Sequence, residues 1–250
     1  MTTSTWLALL LGAVTAGVVQ GLSGFAFSMV AMSVWAWTID PHLAAVLAVH
    51  GGLSGQVLAA IRERRTMRLA PLRPFLLGGV LGLPVGLVLL RGVDPLLFRL
   101  GIGLVLAVWC PLMLASRHLP PLRWGGRAGD ALAGAAGGAM AAFGGFSGAA
   151  PALWCTLRQY DKADARQVIQ NFNLALLALT LAAYAGTGAI TREMLLPMAA
   201  VTAVIIVPVV LGHRLYDTLS PEAFRRVVLV LLSLSGAAML LSSAGRLLGG

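Results

Sequence analysis

Eight apolar stretches follow one another along this chain, at residues 6–37, 42–61, 74–90, 95–115, 128–157, 167–185, 194–212 and 224–244. About 20 helical residues cross a hydrocarbon core of about 30 Å. Inside that core only helices or closed barrels satisfy every backbone N–H and C=O. A succession of stretches this long points to a bundle of membrane helices. Composition agrees: 58% of residues are hydrophobic and 11% charged, with a mean hydropathy of +0.88, outside the usual soluble range. The start, Met-Thr-Thr-Ser-Thr, lacks the basic region of a cleavable signal, so the first stretch is expected to stay as structure. Cys110 and Cys155 lie inside apolar stretches and read as two buried thiols, not a disulfide or metal pair. The net charge of +9 reads as an orientation signal, and no nucleic-acid partner is expected.

Two stretches are interrupted in nearly the same words. GLSGFAF stands at 21–27 and GFSGAAP at 145–151, each with Gly-x-Ser-Gly where a helix should continue. A shift of 124 positions carries Gly21, Ser23, Gly24 and Ala26 onto Gly145, Ser147, Gly148 and Ala150. The same shift pairs Asp40 with Asp164, Arg68 with Arg192 and Pro84 with Pro208. Pro95, Phe98 and Arg99 then match Pro221, Phe224 and Arg225 after two extra residues. An ordered series of prolines and charges marks two copies of one unit, 1–120 and 121–250.

Basic residues orient the copies. If each opening segment crosses the membrane once, the 18 Lys and Arg divide ten against eight. If each doubles back at its break, loops 62–73, 116–127, 158–166 and 213–226 share a side and hold fourteen. Only Arg91, Arg99, Arg192 and Arg246 then lie opposite. The second solution obeys the positive-inside rule. It makes the crossings per copy odd, so the second copy is inverted and both termini are expected to be periplasmic. The predicted fold is an all-α polytopic integral membrane protein of two inverted-topology repeats. Each opens with a broken, re-entrant helical hairpin, for eight to ten helical segments in all. The arms of the first hairpin are read as 6–20 and 25–37, both short of a full span.

Broken backbone at membrane depth needs protein or a water-lined cavity to satisfy it. The helix that resumes after each break presents its first N–H groups and the positive end of its dipole. Two such ends brought from opposite faces suit an anion. The candidate binding residues are therefore Gly21, Ser23, Gly24, Phe25, Gly145, Ser147 and Gly148. Asn171 and Asn173 are neutral donors on a later helix, and His50 is the candidate for proton coupling. Interhelical hydrogen bonding is the plainer role for each of these, and tight packing is the plainer role for the glycines. Gln20 and Gln56 are weaker candidates. Gly78, Gly82 and Gly86 read as a packing stripe, and Pro84 and Pro208 as kinks in equivalent helices.

The paired glycine-rich hairpins, the duplication and the length resemble the sulfite exporter TauE/SafE family, also called the toluene-sulfonate uptake permease family. The resemblance covers nearly the whole chain. It implies a multi-pass carrier in the bacterial inner membrane for sulfite, sulfate, thiosulfate or organosulfonates. The family's hairpins often carry a denser G-x-G-G-G run, where this chain has Phe25, Phe27 and Pro151.

The expected function is a secondary transporter of small anions, exporting by alternating access. An anion channel and a proton-coupled importer of small organic anions are the alternatives. An intramembrane enzyme would need paired acids, a metal-ligand cluster or a Gly-x-Ser-x-Gly elbow, and the sequence offers none. No cofactor and no metal are expected. Membrane lipids and the small anion are the expected partners, and self-association stays open.

Overall fold

The computed structural model describes residues 2–66, 69–91, 93–116, 120–122, 124–215 and 221–248, without the side chains of 221–225 and 245–248. Ten α-helices and no strand occur among them. They are α1 (Thr3–Ser23), α2 (Phe27–Thr38), α3 (Pro41–Arg62), α4 (Leu69–Leu90), α5 (Pro95–Ala115), α6 (Gly126–Gly144), α7 (Ala149–Leu157), α8 (Lys162–Gly186), α9 (Leu195–Leu215) and α10 (Pro221–Leu248). Arg68 and the side chains of Pro221, Phe224 and Arg225 lie outside the description, so their part in the repeat series is not seen.

Helix starts are written in the sequence. Asp40 accepts from the N–H groups of His42 and Leu43 ahead of α3, with Pro41 at the first helical position. Asp94 caps α5 in the same way, with Pro95 following. Asp161, not Asp164, caps α8 by accepting from Ala163 N–H. Asp164 lies in the first turn of α8, so the helix-start equivalent of Asp40 sits three residues earlier than the 124-residue shift puts it.

Among the described residues, seven helices are long and apolar enough to cross a membrane: α1, α3, α4, α5, α8, α9 with its preceding 3₁₀ turn, and α10 over Arg226–Ala244. Leu77, Leu81, Leu132, Val207 and Leu241 point outward, each more than two-thirds exposed. So much exposed aliphatic surface is unfavourable in water and ordinary in hydrocarbon. The chain is a polytopic helical membrane protein.

Both opening segments double back. The Trp35 indole N–H donates to the Leu9 carbonyl at 3.2 Å, and its ring covers Gly12, so α2 runs back along α1. The Trp154 indole N–H donates to Asp130 at 2.8 Å, and its ring covers Gly129, so α7 runs back along α6. The arms are unequal, contrary to the expected pair of short ones. At about 1.5 Å per residue, the 21 residues of α1 reach about 31 Å, whereas the 12 of α2 reach about 18 Å. Packing extends α1: Gly17 and Gly21 let its backbone approach α9 at Pro208, Val209 and Gly212.

The same device joins α6 to α4. Gly78, Gly82 and Gly86 face the carbonyls of Ala131, Ala135 and Ala139, while Gly134 and Gly138 face those of Phe75 and Gly79. A methyl at any of them would strike backbone. Contacts this close also permit Cα–H···O interactions between helices. The stripe is a packing face. Beyond these, α3 packs on α8 and α5 on α10. Pro84 and Pro208 lie inside α4 and α9. Cys110 and Cys155 are buried free thiols.

Candidate functional site

The Gly-x-Ser-Gly motifs at 21–24 and 145–148 break at different glycines, while a third such stretch, at 52–55, stays helical within α3. In the first, α1 runs through Gly21 and Ser23 and ends at Gly24, whose φ is +83° and whose N–H donates to Gln20 O at 2.7 Å. In the second, α6 ends at Gly145, with φ +78°, and its N–H donates to Ala141 O at 2.8 Å. Both are left-handed glycine caps, a conformation that costs glycine little. The packing of Gly21 against α9 keeps the first motif helical for longer.

The serines consequently differ in surroundings. Ser23 closes α1 and is exposed; its Oγ accepts from the N–H groups of Phe25 at 3.4 Å and Ala26 at 3.1 Å. Ser147 stands in the turn before α7, fully buried, and its hydroxyl donates to Asn173 Oδ1.

The two tips meet. Phe25 rests on Gly148, where an added Cβ would lie 3.1 Å from Phe25 Cβ, and Ser28 rests on Gly145. Ser28 Oγ in turn donates to Ala48 O at 3.2 Å. The short helices α2 and α7 both begin at this contact, and neither Ala26 nor Gly148 provides a side-chain cap. α1, α3, α5 and α8 have one, whereas α6, which starts after Gly125, has none either. The tips thus present two helix starts whose cap residues bring no side-chain acceptor, with Ser23 Oγ holding the Phe25 and Ala26 N–H groups just ahead of α2. Tip 2 offers fewer donors: Ala149 N–H is taken by Phe146 O at 3.0 Å, and Pro151 has no N–H.

A cavity of about 610 Å³ opens beside the first tip. Ser23, Thr156, Lys162, Arg166 and Gln170 line its polar part, and Phe25, Trp109, Met113, Leu229 and Leu232 its apolar wall. Tyr160 also borders it; burial first, and then the Asp130 charge, push its phenol up to about 12, and it donates to Asp130 at 3.2 Å. Gly145, Ser147, Gly148 and Asn173 are not on its wall. Gly21 and Gly24 border a separate void of about 10 Å³, room for about one water. Asn171 donates to Thr66 O at 3.3 Å. His50 is part of neither wall: its Nε2 is 2.7 Å from Thr202 Oγ1 on α9, and its Nδ1 is buried without a partner.

A charged network was not foreseen from the sequence. Glu63, just beyond α3, lies 2.7 Å from Arg65, 3.3 Å from Arg166 of α8 and 3.7 Å from His213 of α9. Arg65 donates to Gln56 Oε1 at 3.2 Å, and Gln56 donates to the Gly24 carbonyl. An unbroken chain of contacts therefore joins Glu63 to the first tip. Burial pulls the Glu63 carboxyl upward, but the hydrogen bond and charge of Arg65, with Arg166 and His213, outweigh it and hold the carboxyl below its usual range. Its one visible signal in the sequence is a lone acid inside RERR.

The family described as Sulfite exporter TauE/SafE matches residues 9–239. The chain belongs to the TauE/SafE family. The matched range takes in both broken hairpins, the cavity and the Glu63 network, so the features described above sit inside the TauE/SafE region. As a TauE/SafE protein the chain belongs with membrane transporters. No curated protein and no solved structure matches it.

Proposed function

We propose that this TauE/SafE protein is a secondary transporter of small anions, sulfur-containing ones in the first place, exporting them across the inner membrane by alternating access. The observation that carries this is the meeting of two uncapped helix starts, at Phe25–Gly148, beside a cavity that holds Ser23, Lys162, Arg166 and Gln170. Helix N-termini and basic side chains both favour an oxyanion. Phe25 seated on Gly148 leaves no side-chain gap between the tips, which favours a carrier over an open channel.

Alternating access is supported by how the two halves exchange arms. α1 of the first half packs on α9 of the second, and α6 of the second packs on α4 of the first, while α3 faces α8 and α5 faces α10. Two inverted copies, 1–120 and 121–250, related by a twofold axis in the membrane plane would pack in this pattern. With loops 62–73 and 158–166 cytoplasmic and both termini periplasmic, the large cavity faces the cytoplasm. An anion leaving a cell that is negative inside gains about 2.3 kcal/mol per charge per 100 mV. His50 remains the candidate for proton coupling.

Reconstitution tests this. Liposomes holding the protein should release loaded sulfite saturably, and external sulfite should accelerate the exchange. Flux that rises linearly without saturation or counterflow would point to a channel. Flux absent for sulfite, sulfate, thiosulfate and organosulfonates alike would overturn the anion assignment.

A further inference from the structure

Arg166 belongs to two places at once. It lines the large cavity with Ser23 and Lys162, and it lines the small void with Glu63 and Gln56. Its Nη2 is 3.3 Å from Glu63 Oε1, with its side chain 35% and that of Glu63 22% exposed. A guanidinium presents a planar fork of five donors, suited to a carboxylate or to any oxyanion of like shape. We propose that Glu63 is a resident counter-anion: its carboxylate holds Arg166 until an anion entering the cavity takes the guanidinium, and that exchange loosens the tie between the end of α3 and α8. The proposal rests on the anion-transport reading above and adds a ligand, Arg166, and a competitor, Glu63.

Position makes the exchange consequential. Glu63 stands on the first half of the chain, whereas Arg166 and His213 stand on the second. Glu63 also orients Arg65, which holds Gln56, which holds the Gly24 carbonyl at the first tip. Loss of Arg166 from Glu63 leaves the carboxylate facing Arg65 and His213, and Gln170, one turn beyond Arg166, stays on both walls. Occupancy of the cavity and the hold on the tip are therefore linked through one carboxylate. Linkage of this kind is reciprocal: whatever frees Arg166 from Glu63 must tighten anion binding by the same factor.

Calorimetric titration of the purified full-length protein with sodium sulfite and with p-toluenesulfonate tests the exchange. Glu63→Gln should bind whichever anion the native protein binds roughly two- to fivefold more tightly, the range of a partly exposed ion pair. Arg166→Gln should weaken binding about tenfold or more, as expected for a hydrogen bond to a charged group. In the double variant the gain from Glu63→Gln should vanish. An unchanged or weaker affinity in Glu63→Gln overturns the proposal, and so does an equal gain with and without Arg166, which would mean a general field effect. If Arg166→Gln does not fold, Arg166→Lys keeps the charge without the fork and should lose most of the response to Glu63→Gln; retention of the full response is a contrary result. Repeating the titration in nanodiscs with phosphatidylglycerol separates a lipid headgroup from a free anion: competition by that lipid at Arg166 overturns the transported-anion form. If neither the native protein nor Glu63→Gln binds any anion, the transport reading falls and the proposal with it. Binding by the native protein without the predicted gain removes the proposal alone.

Discussion

Phe25, the residue after the first break, lies on Gly148, the last residue of the second motif, so closely that an added Cβ would stand 3.1 Å from Phe25 Cβ. Two segments that are 123 positions apart therefore close on each other at the start of their short helices. A side chain at 148 must push Phe25 away or force α7 to shift. Gly148→Val should insert and fold but lose most anion flux, because the tips can no longer meet. Normal flux in this variant, measured in liposomes, would show that the contact is incidental.

The stripe on α4 makes a different prediction. At Gly82 a methyl would strike the carbonyl of Ala135, a backbone atom that cannot rotate aside. Overpacking of this kind costs typically about 1–3 kcal/mol and sometimes more. Gly82→Ala should lower the unfolding temperature of the detergent-purified protein, and Gly82→Val should prevent its accumulation. A native melting temperature for Gly82→Ala would mean that α4 and α6 sit farther apart.

Much of the architecture is legible because a membrane imposes it. Uninterrupted apolar length gives the spanning helices, and Asp40–Pro41 and Asp94–Pro95 mark where α3 and α5 begin. The interruptions at Gly24 and Gly145 were also readable, from the Gly-x-Ser-Gly motifs at 21–24 and 145–148. The depth of each break was not. Gly21 and Gly145 look alike in sequence, yet only Gly145 ends its helix, since Gly21 is held by α9 from nearly 190 residues away. The Glu63 network was hidden for the same reason. Arg166 and His213 come to Glu63 through tertiary packing, and RERR by itself reads as a loop charge. His50, prominent as the one central titratable residue, meets Thr202 instead of the cavity.

Acid should act on the Glu63 network. The folded carboxyl titrates below its usual range, so its stabilising contribution is complete above the unfolded value of about 4.3. It is lost as pH falls from there through the folded value. Melting temperatures of the native protein should therefore decline more steeply on acidification below about pH 5 than those of Glu63→Gln. Parallel acid limbs would mean that the carboxylate has no net effect on stability.

The proposed orientation, with both termini periplasmic, rests on the charge count and is open to labelling. A cysteine introduced at Thr3 should react with an impermeant maleimide on intact cells, whereas one introduced at Gln159 should react only after the inner membrane is permeabilised. Cys110 and Cys155 are buried, so their background labelling should be low. The reverse pattern would turn the whole assembly over and place the large cavity on the outside.

The two serines should separate cleanly. Ser147→Ala leaves the buried Asn173 Oδ1 without its donor, and an unsatisfied buried acceptor costs about 1–3 kcal/mol. The loss should appear as lowered thermal stability, and replacing both partners, Ser147→Ala with Asn173→Leu, should restore much of it. Ser23 is exposed on the cavity and also holds the Phe25 and Ala26 N–H groups. Ser23→Ala should leave stability nearly unchanged and weaken anion binding about tenfold, the lower end for a hydrogen bond to a charged group. Calorimetry and melting curves on the same preparations distinguish the two. Equal affinity in Ser23→Ala and the native protein would mean that Ser23 only closes its turn, leaving Arg166 and the backbone of α2 to hold the anion.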